Sequence, residues 1–586
     1  MLVVDRPLGN TLHLGRWHAL NHGNRMDGFQ FPATGCGNGT IIWADRFPGS
    51  MLKKWWMHLR QPDHPYGVAA IFFVVILGLL LLRYGTFFAT YDHGIFNQLY
   101  WNSLHGRFFE SSLSAGLSVA VRLDGEVPSV FYHRLGQHFT PALMLWLPIY
   151  ALAPSPVTLI VLQALLLTAG GIVLYFLARH WLAAPLAWWI STSYYTAGAV
   201  IGPALGNFHD AVQLPLFFFA AILCLERRCW WLFWPLIFLT LMIREDTGIV
   251  VFGLGVYGLI SRRFPWMGLA VCGLSFLYVV WVTNVCMPAF SDDLSRRFLP
   301  GYFGQITGDE TKATNTLEIL KGILTNPVQV LLILGRRPLR IVLYLLGQWL
   351  PLAFVPAWSW PAWVMVSFPL GQRILQNSHI ALLLNVRYAI YLVPALFYGA
   401  ILWWARHREW LQRRWQKFWG WCMAVSVVLI VLANPNGSFS WVLPDAVQPW
   451  VWMPLHQRWQ HRGAIQQLLV QIPPSATVAA TNQLIPPLSG RRGILRFPQY
   501  QLRLDNNQVE SVDYIITDLW YWRRFSLPGK NAWDIRELQQ RVTQGEYGII
   551  DLRDEVVLLQ KGAVTSPPLQ QQWQTLYQEL LSLWQP

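Results

Sequence analysis

Residues Arg83 to Gln98 read RYGTFFATYDHGIFNQ. They close a long apolar run, Val68 to Leu82, and open an irregular polar stretch, so Asp92 and His93 are expected at a membrane surface. Apolar runs of similar length recur down the chain. With 54% hydrophobic and 13% charged residues over 586 positions, and a mean hydropathy of +0.32, the composition is that of a polytopic membrane protein and not of a soluble enzyme. The 33 Trp and 21 Tyr suit interfacial belts, and the net charge of +14 gathers near span ends. That distribution makes the lipid bilayer the expected partner and argues against nucleic acid. The six cysteines show neither a disulfide framework nor zinc spacing.

Upstream of the opening stretch, residues 1–60 read as a disordered cytoplasmic tail or an over-extended gene start, since Met51 begins MLKKWWMHLR. Lys53, Lys54 and Arg60 before the first span, Val68 to Phe88, should stay in the cytoplasm and send Asp92 outside. A transmembrane domain over 61–434 with external loops at 90–156 and 290–326 follows. The run His138 to Ala153, broken by Pro141 and Pro148, is read as non-crossing. Only then do the basic ends of three runs, Val157 to Ala178, Ala211 to Leu225 and Thr247 to Ile260, all fall in the cytoplasm. Further spans are expected at Leu182 to Leu205, Trp230 to Ile243, Pro265 to Ala289, twice between Leu339 and Leu370, before the basic cluster Arg406 to Lys417, and at Trp419 to Leu432. The total is about eleven, with the carboxyl terminus outside, and Arg336, Arg337 and Arg340 break the charge rule.

Residues 435–564 read as a small extracytoplasmic α/β domain. Strands are expected in ATVAAT (476–481), VDYIITD (512–518), YGIID (547–551) and EVVLLQ (555–560), and a helix over Asp534 to Thr543. Within 565–586, Leu569, Trp573, Leu576, Leu580 and Trp584 share one face of an amphipathic helix, which is expected to dock on the domain in preference to lying on the membrane.

This topology puts several ionisable groups on one side: Arg83, Asp92, His93, His138, His209 and Asp210 in NFHD, the run Arg244, Glu245, Asp246, and Arg387 with Tyr388. Each has a plainer reading. Asp92 could be an N-cap, Arg244 to Asp246 a turn, Arg387 a snorkelling side chain, and His138 and His209 solvated loop residues. Together they are costly to hold near lipid unless paired, hydrated or functional. A surface carboxylate can serve as general base while arginines hold a phosphate and other carboxylates hold a divalent metal, Mg or Mn. That set suits transfer from a lipid-phosphate donor. A transporter would place such groups nearer the midplane, between repeated halves, and no internal repeat is visible.

The blocks YDHGIFNQLYWNSLHGR, HFTPALMLWLPIYALAPSPVTLIVLQALLL, NFHDAVQLPLFFFAA, REDTGIVVFGLGVYG and NVRYAIYLVPALFYGAI, with the tail from IPPSATVAAT to VVLLQKG, resemble a family of predicted bacterial membrane proteins defined only as a domain of unknown function. That family in turn resembles the GT-C glycosyltransferases, integral-membrane enzymes that use polyprenyl-phosphate sugars and carry an acidic residue just after the first span. The resemblance implies a GT-C-like all-α polytopic fold in a bacterial inner membrane, with Asp92 as catalytic base. It implies Asp210, Glu245 and Asp246 as secondary acidic candidates and Arg244 and Arg387 as phosphate contacts; with Arg83, His93, His138, His209 and Tyr388 from the same face, Asp210, Arg244 and Arg387 are the substrate-binding candidates, and Glu245 and Asp246 the metal candidates. Asp92 is followed by His93 where many GT-C members have a paired acidic motif. The alternative from another class is a non-catalytic or transport-type membrane protein whose external domain binds an envelope partner.

Overall fold

A computed structural model describes residues 64–309, 311–378, 380–444, 451–525 and 528–584, so the expected tail 1–60 lies outside the described residues. The apolar run of the opening stretch forms helix Tyr66–Gly85, which ends in a turn where Phe87 takes a left-handed φ of 56°. Arg83 fastens this turn. Its Nε donates to Phe88 O at 3.0 Å and its Nη1 to Leu205 O at 2.7 Å. After extended Thr90 the chain enters a second helix, Tyr91–Leu104, so Asp92 lies in the first turn of a helix and not at its N-cap. This helix buries Asn97, Gln98, Asn102 and Ser103 along with its apolar side chains, a pattern explained by the domain that packs over it.

Among the described residues, five helices are long and apolar enough to cross a membrane: Tyr66–Gly85, Pro156–Trp181, Pro265–Ala289, Arg387–Arg406 and Arg413–Leu432. The pair Thr316–Thr325 and Pro327–Gly335, bent by 93°, makes six if it is one broken span. The other spans expected from hydropathy fall on shorter helices. Leu182 to Leu205 breaks into Ala184–Tyr195 and Gly198–Ala204, and Trp230–Leu241 has only 12 residues, about 18 Å of helix. A short apolar helix satisfies its backbone internally wherever it lies, and Trp230–Leu241 keeps one face exposed, with Trp231 and Phe238 outward. The run His138 to Ala153 becomes a 3-10 turn, Pro141–Trp146, and a single helical turn, Leu147–Leu152, too short to cross.

Helices Thr247–Ile260 and Pro265–Trp281 approach closely through small residues. A Cβ on Gly268 would meet Gly255 O at 2.6 Å, so only glycine permits this packing. The expected external loop 290–326 is largely helical: Leu299–Thr307 and Thr316–Thr325, the latter opened by a capping box between Asn315 and Glu318. Its apolar faces, Phe303, Ile306 and Ile319, pack with Ile333.

Beyond the membrane helices the strands are β1 Val478–Ala480, β2 Ile494–Arg496, β3 Gln501–Arg503, β4 Val509–Ser511, β5 Tyr514–Asp518, β6 Tyr547–Arg553 and β7 Val556–Lys561. Four coincide with expected strands; β2 and the β3–β4 ribbon were not foreseen. The main sheet has order β2-β1-β5-β7-β6, parallel from β2 to β5 and antiparallel through β7 to β6. Helix Pro528–Thr543 covers Asp534 to Thr543, and helix Pro567–Trp584 buries Trp573, Leu576, Leu580 and Trp584 against a core that includes Ile535, Leu538 and Ile549. This domain sits on helix Tyr91–Leu104. Asn97 Nδ2 donates to Ser489 Oγ at 2.9 Å, and Gln98 Nε2 donates to the carbonyls of Arg491 and Arg492 at 3.2 and 3.0 Å. A Cβ on Gly94 would lie 2.5 Å from Ile485 Cγ2, so the closest approach of domain to helix is made at Gly94.

Candidate functional site

The segment Arg387–Tyr391, a 3-10 turn at the start of the span ending at Arg406, joins two groups of charges. On one side Arg387 Nη1 meets Asp92 Oδ2 at 3.1 Å. The Asp92 side chain is 41% exposed, so one carboxylate oxygen is held by arginine while the group remains open to a substrate. On the other side Tyr391 donates its hydroxyl to Asp246 Oδ1 at 3.0 Å, and Arg373 Nη2 reaches Asp246 Oδ2 at 3.1 Å. The Arg373 guanidinium also lies over the rings of Tyr388 and Tyr391, at 4.8 and 4.5 Å.

Arg244 is the buried centre of the second group. It lies 3.2 Å from Glu245 Oε1, 3.6 Å from Asp246 Oδ1 and 3.9 Å from Asp210 Oδ2. Burial alone would lower its pKa; the surrounding carboxylates outweigh it and raise it well above the ordinary value. Glu245 accepts from Phe139 N at 3.0 Å, and its other oxygen is 3.0 Å from His138 Nδ1. Burial, then the charge of Arg244, depress His138 well below its ordinary value.

These groups stand at one end of an apolar cavity of about 570 Å³. His138, Arg244, Glu245, Asp246, Arg373 and Tyr388 form its polar wall. Its long apolar walls come from Phe252, Phe276, Val279, Phe298, Ile319 and Phe368, supplied by the membrane helices and by the helical segment 294–325.

A family model described as Predicted membrane protein (DUF2079) matches residues 83–558. The chain belongs to this family. Among solved structures it is similar to ArnT from Cupriavidus metallidurans in a crystal structure described as bound to undecaprenyl phosphate, with 10% identity and a TM-score of 0.48 over 86% of this chain and 99% of that one. The apo structure of ArnT from the same organism gives 11% identity and a TM-score of 0.45 over 88% and 100% of the two chains. A comparison with curated proteins returned no significant match.

The DUF2079 match encloses every candidate site residue, and the structure sorts them. Asp92, His138, Asp210, Arg244, Glu245, Asp246, Arg387 and Tyr388 belong to the linked groups just described. Arg83 and His93 do not. Arg83 spends its donors on two backbone carbonyls, and His93 Nε2 is 3.0 Å from Pro156 O, with burial lowering its pKa to about 4. Both hold the chain reversal that presents Asp92. His209 is buried with neither ring nitrogen hydrogen-bonded, and burial, opposed by Asp210, lowers it to about 4. Glu245 and Asp246 do not fit a divalent cation. Their oxygens are taken by His138, Phe139, Arg244, Arg373 and Tyr391, and no group of three His, Cys, Asp or Glu among the described residues has metal-binding geometry. Sequence reasoning did not find Arg373, Tyr391 or Arg134, whose Nη1 donates to Ser114 Oγ at 3.2 Å and whose guanidinium lies over Phe96. A charge one turn beyond an apolar run, as Arg373 is beyond Leu370, was the available signal.

Proposed function

We propose that this chain is a membrane glycosyltransferase of GT-C type, moving a sugar from a polyprenyl-phosphate donor to an acceptor outside the cytoplasm with Asp92 as general base. The observation that carries the reading is the half-exposed Asp92, held by Arg387, which Tyr388 connects to an apolar cavity with buried arginines at its polar end. The cavity wall suits a polyprenyl chain, and Arg244 and Arg373 on its lining, with Arg387 next to Tyr388, are the donors proposed to meet its phosphate by exchanging part of their pairing with Asp92 and Asp246. In the reaction the free Asp92 oxygen takes the proton of the acceptor hydroxyl, the acceptor oxygen bonds to the anomeric carbon from the face opposite the phosphate, and the bond to phosphate breaks. The polyprenyl phosphate leaves with both electrons of that bond, its charge balanced by the arginines, and the anomeric configuration inverts.

Orientation follows from charge. The Asp92 end of the bundle carries the acidic and histidine groups. The helices that start there end in Arg179 and His180, in Arg227 and Arg228, or in the cluster from Arg406. The positive-inside rule supports the reading that Asp92 and the C-terminal domain lie on the extracytoplasmic side of a bacterial inner membrane.

The test is Asp92→Asn in protein that inserts and accumulates at the wild-type level. Loss of a general base removes about 10² to 10⁴ of the rate, so the glycan or glycolipid made in the wild-type cell should disappear. An unchanged glycolipid profile removes Asp92 as base.

A further inference from the structure

At the opposite end of the span Arg387–Arg406, about 30 Å from the Asp92 cluster along the helix, lies a second cavity of about 500 Å³. Five tryptophans, Trp358, Trp360, Trp403, Trp410 and Trp415, form most of its wall. Tryptophans near a membrane surface are ordinary. Three further observations make this a built site.

The first is charge. Arg406 lines the cavity and has no ion pair or hydrogen bond among the described residues. The following turn and the first residues of helix Arg413–Leu432 add Arg408, which donates to Trp181 O at 2.7 Å, and Arg413, Arg414 and Lys417, against a single acid, Glu409. The nearby carboxylate at this end of the bundle, Glu226, is occupied by Arg263 at 2.7 Å. The second is an unused donor: Trp415 lines the cavity, and its indole N–H is buried with no acceptor. The third is a fixed imidazole. His407 stacks on Trp403 with ring centroids 4.3 Å apart, and its Nδ1 is 2.9 Å from Trp403 O, which leaves Nε2 uncommitted. A guanidinium, an indole donor and an imidazole on an aromatic wall at bilayer-surface depth call for a ligand with anionic oxygens at one end and hydrocarbon at the other.

We infer that this cavity binds one anionic glycerophospholipid of the leaflet opposite Asp92, its phosphodiester on Arg406 and the Trp415 N–H and an acyl chain along the tryptophan wall. The charge selects an anionic lipid over a zwitterionic one, and a volume of about 500 Å³ takes part of one lipid molecule, with the rest of it lying outside the cavity. The site is separate from the donor cavity and does not depend on the chemistry proposed there.

The experiment is native mass spectrometry of the full-length protein, delipidated in mild detergent and titrated with phosphatidylglycerol or phosphatidylcholine. Wild type should retain one phosphatidylglycerol per chain in preference to phosphatidylcholine. Arg406→Gln and Trp410→Ala alter exposed side chains, so folding is not at stake. Arg406→Gln should weaken retention about fivefold or more. Arg414→Gln, in the same basic stretch but outside the cavity, should weaken it less than about twofold if the contact is local. Equal retention of the two lipids, or equal losses for Arg406→Gln and Arg414→Gln, overturns the inference in favour of a diffuse basic surface.

Discussion

Arg244 and Arg387 carry the same charge and face the same end of the bundle, yet burial divides their roles. Arg244 is enclosed by Asp210, Glu245 and Asp246, so truncating it leaves carboxylates buried without a counter-charge. Arg244→Ala should cost about 3–5 kcal/mol of stability, read as a fall in the unfolding midpoint in detergent. The Arg387–Asp92 pair is partly solvated, 25% and 41% exposed, and Arg387→Ala should cost less than about 1 kcal/mol while abolishing glycolipid formation. Equal stability losses in the two variants would contradict this division. Ionisable groups stand out in so apolar a chain, which is why most of the cluster was legible in the sequence. What was not legible is direction. His93 adjoins Asp92 in sequence, but successive helical positions point about 100° apart, and its ring turns to Pro156 instead. The same holds for Glu245 and Asp246: neighbours in sequence, they serve different partners, and the shared metal they suggested does not fit.

Helix Tyr91–Leu104 carries Asp92 near its start and the C-terminal domain along its length, and glycine at position 94 lets both fit. A methyl group there would press on the branched side chain of Ile485, so Gly94→Ala should loosen the docking by about 1–3 kcal/mol, seen as faster amide exchange in Ile485–Leu488 without loss of the membrane helices. A second joint is pH-sensitive. His461, on helix Leu455–Leu469, lies between Asp554 Oδ2 at 2.7 Å and Asp518 Oδ2 at 3.2 Å, stacked 4.1 Å from the Trp520 ring. Burial would lower its pKa, but the two carboxylates outweigh it and hold it above the ordinary value. A raised folded pKa contributes stability that is complete below the unfolded value of about 6.5 and is lost as pH rises through the folded value. Exchange protection of Leu455–Leu469 should therefore fall as pH rises from about 6.5 into the alkaline range once intrinsic rates are divided out, and His461→Gln should flatten that dependence. Strand runs such as VDYIITD announced the sheet because alternation and β-branching persist over several residues. The three-residue strands β2, β3 and β4 are too short to carry a period, and they form because tertiary neighbours pair with them.

Across the whole molecule, hydropathy correctly marked a membrane bundle followed by an α/β domain, but it overstated how the bundle is made. It counts apolar residues without knowing whether lipid or protein covers them, so Trp230–Leu241 and the two halves of Leu182 to Leu205 read as spans although they are short pieces. The reverse error occurred at 290–326, where amphipathic helices that wall the cavity of about 570 Å³ were read as a loop. Neither error moves the proposed site, because the two ends of the bundle are set by charge. A direct check of sidedness must use exposed positions; Asp210, only 1% exposed, is unsuitable for labelling. Glu126, in the first loop on the Asp92 side, and Gln412, in the basic loop at the far end, are both exposed. With the six native cysteines replaced, Glu126→Cys in intact spheroplasts should react with a membrane-impermeant maleimide, while Gln412→Cys should react only after the membrane is opened. Labelling of Gln412→Cys alone before opening would invert the orientation and place Asp92 in the cytoplasm, which ends the case for an extracytoplasmic acceptor. Labelling of both would mean that an odd crossing has been assigned wrongly, and the broken helices 316–335 would be the first place to look, since their 93° bend is where a span can become a re-entrant turn.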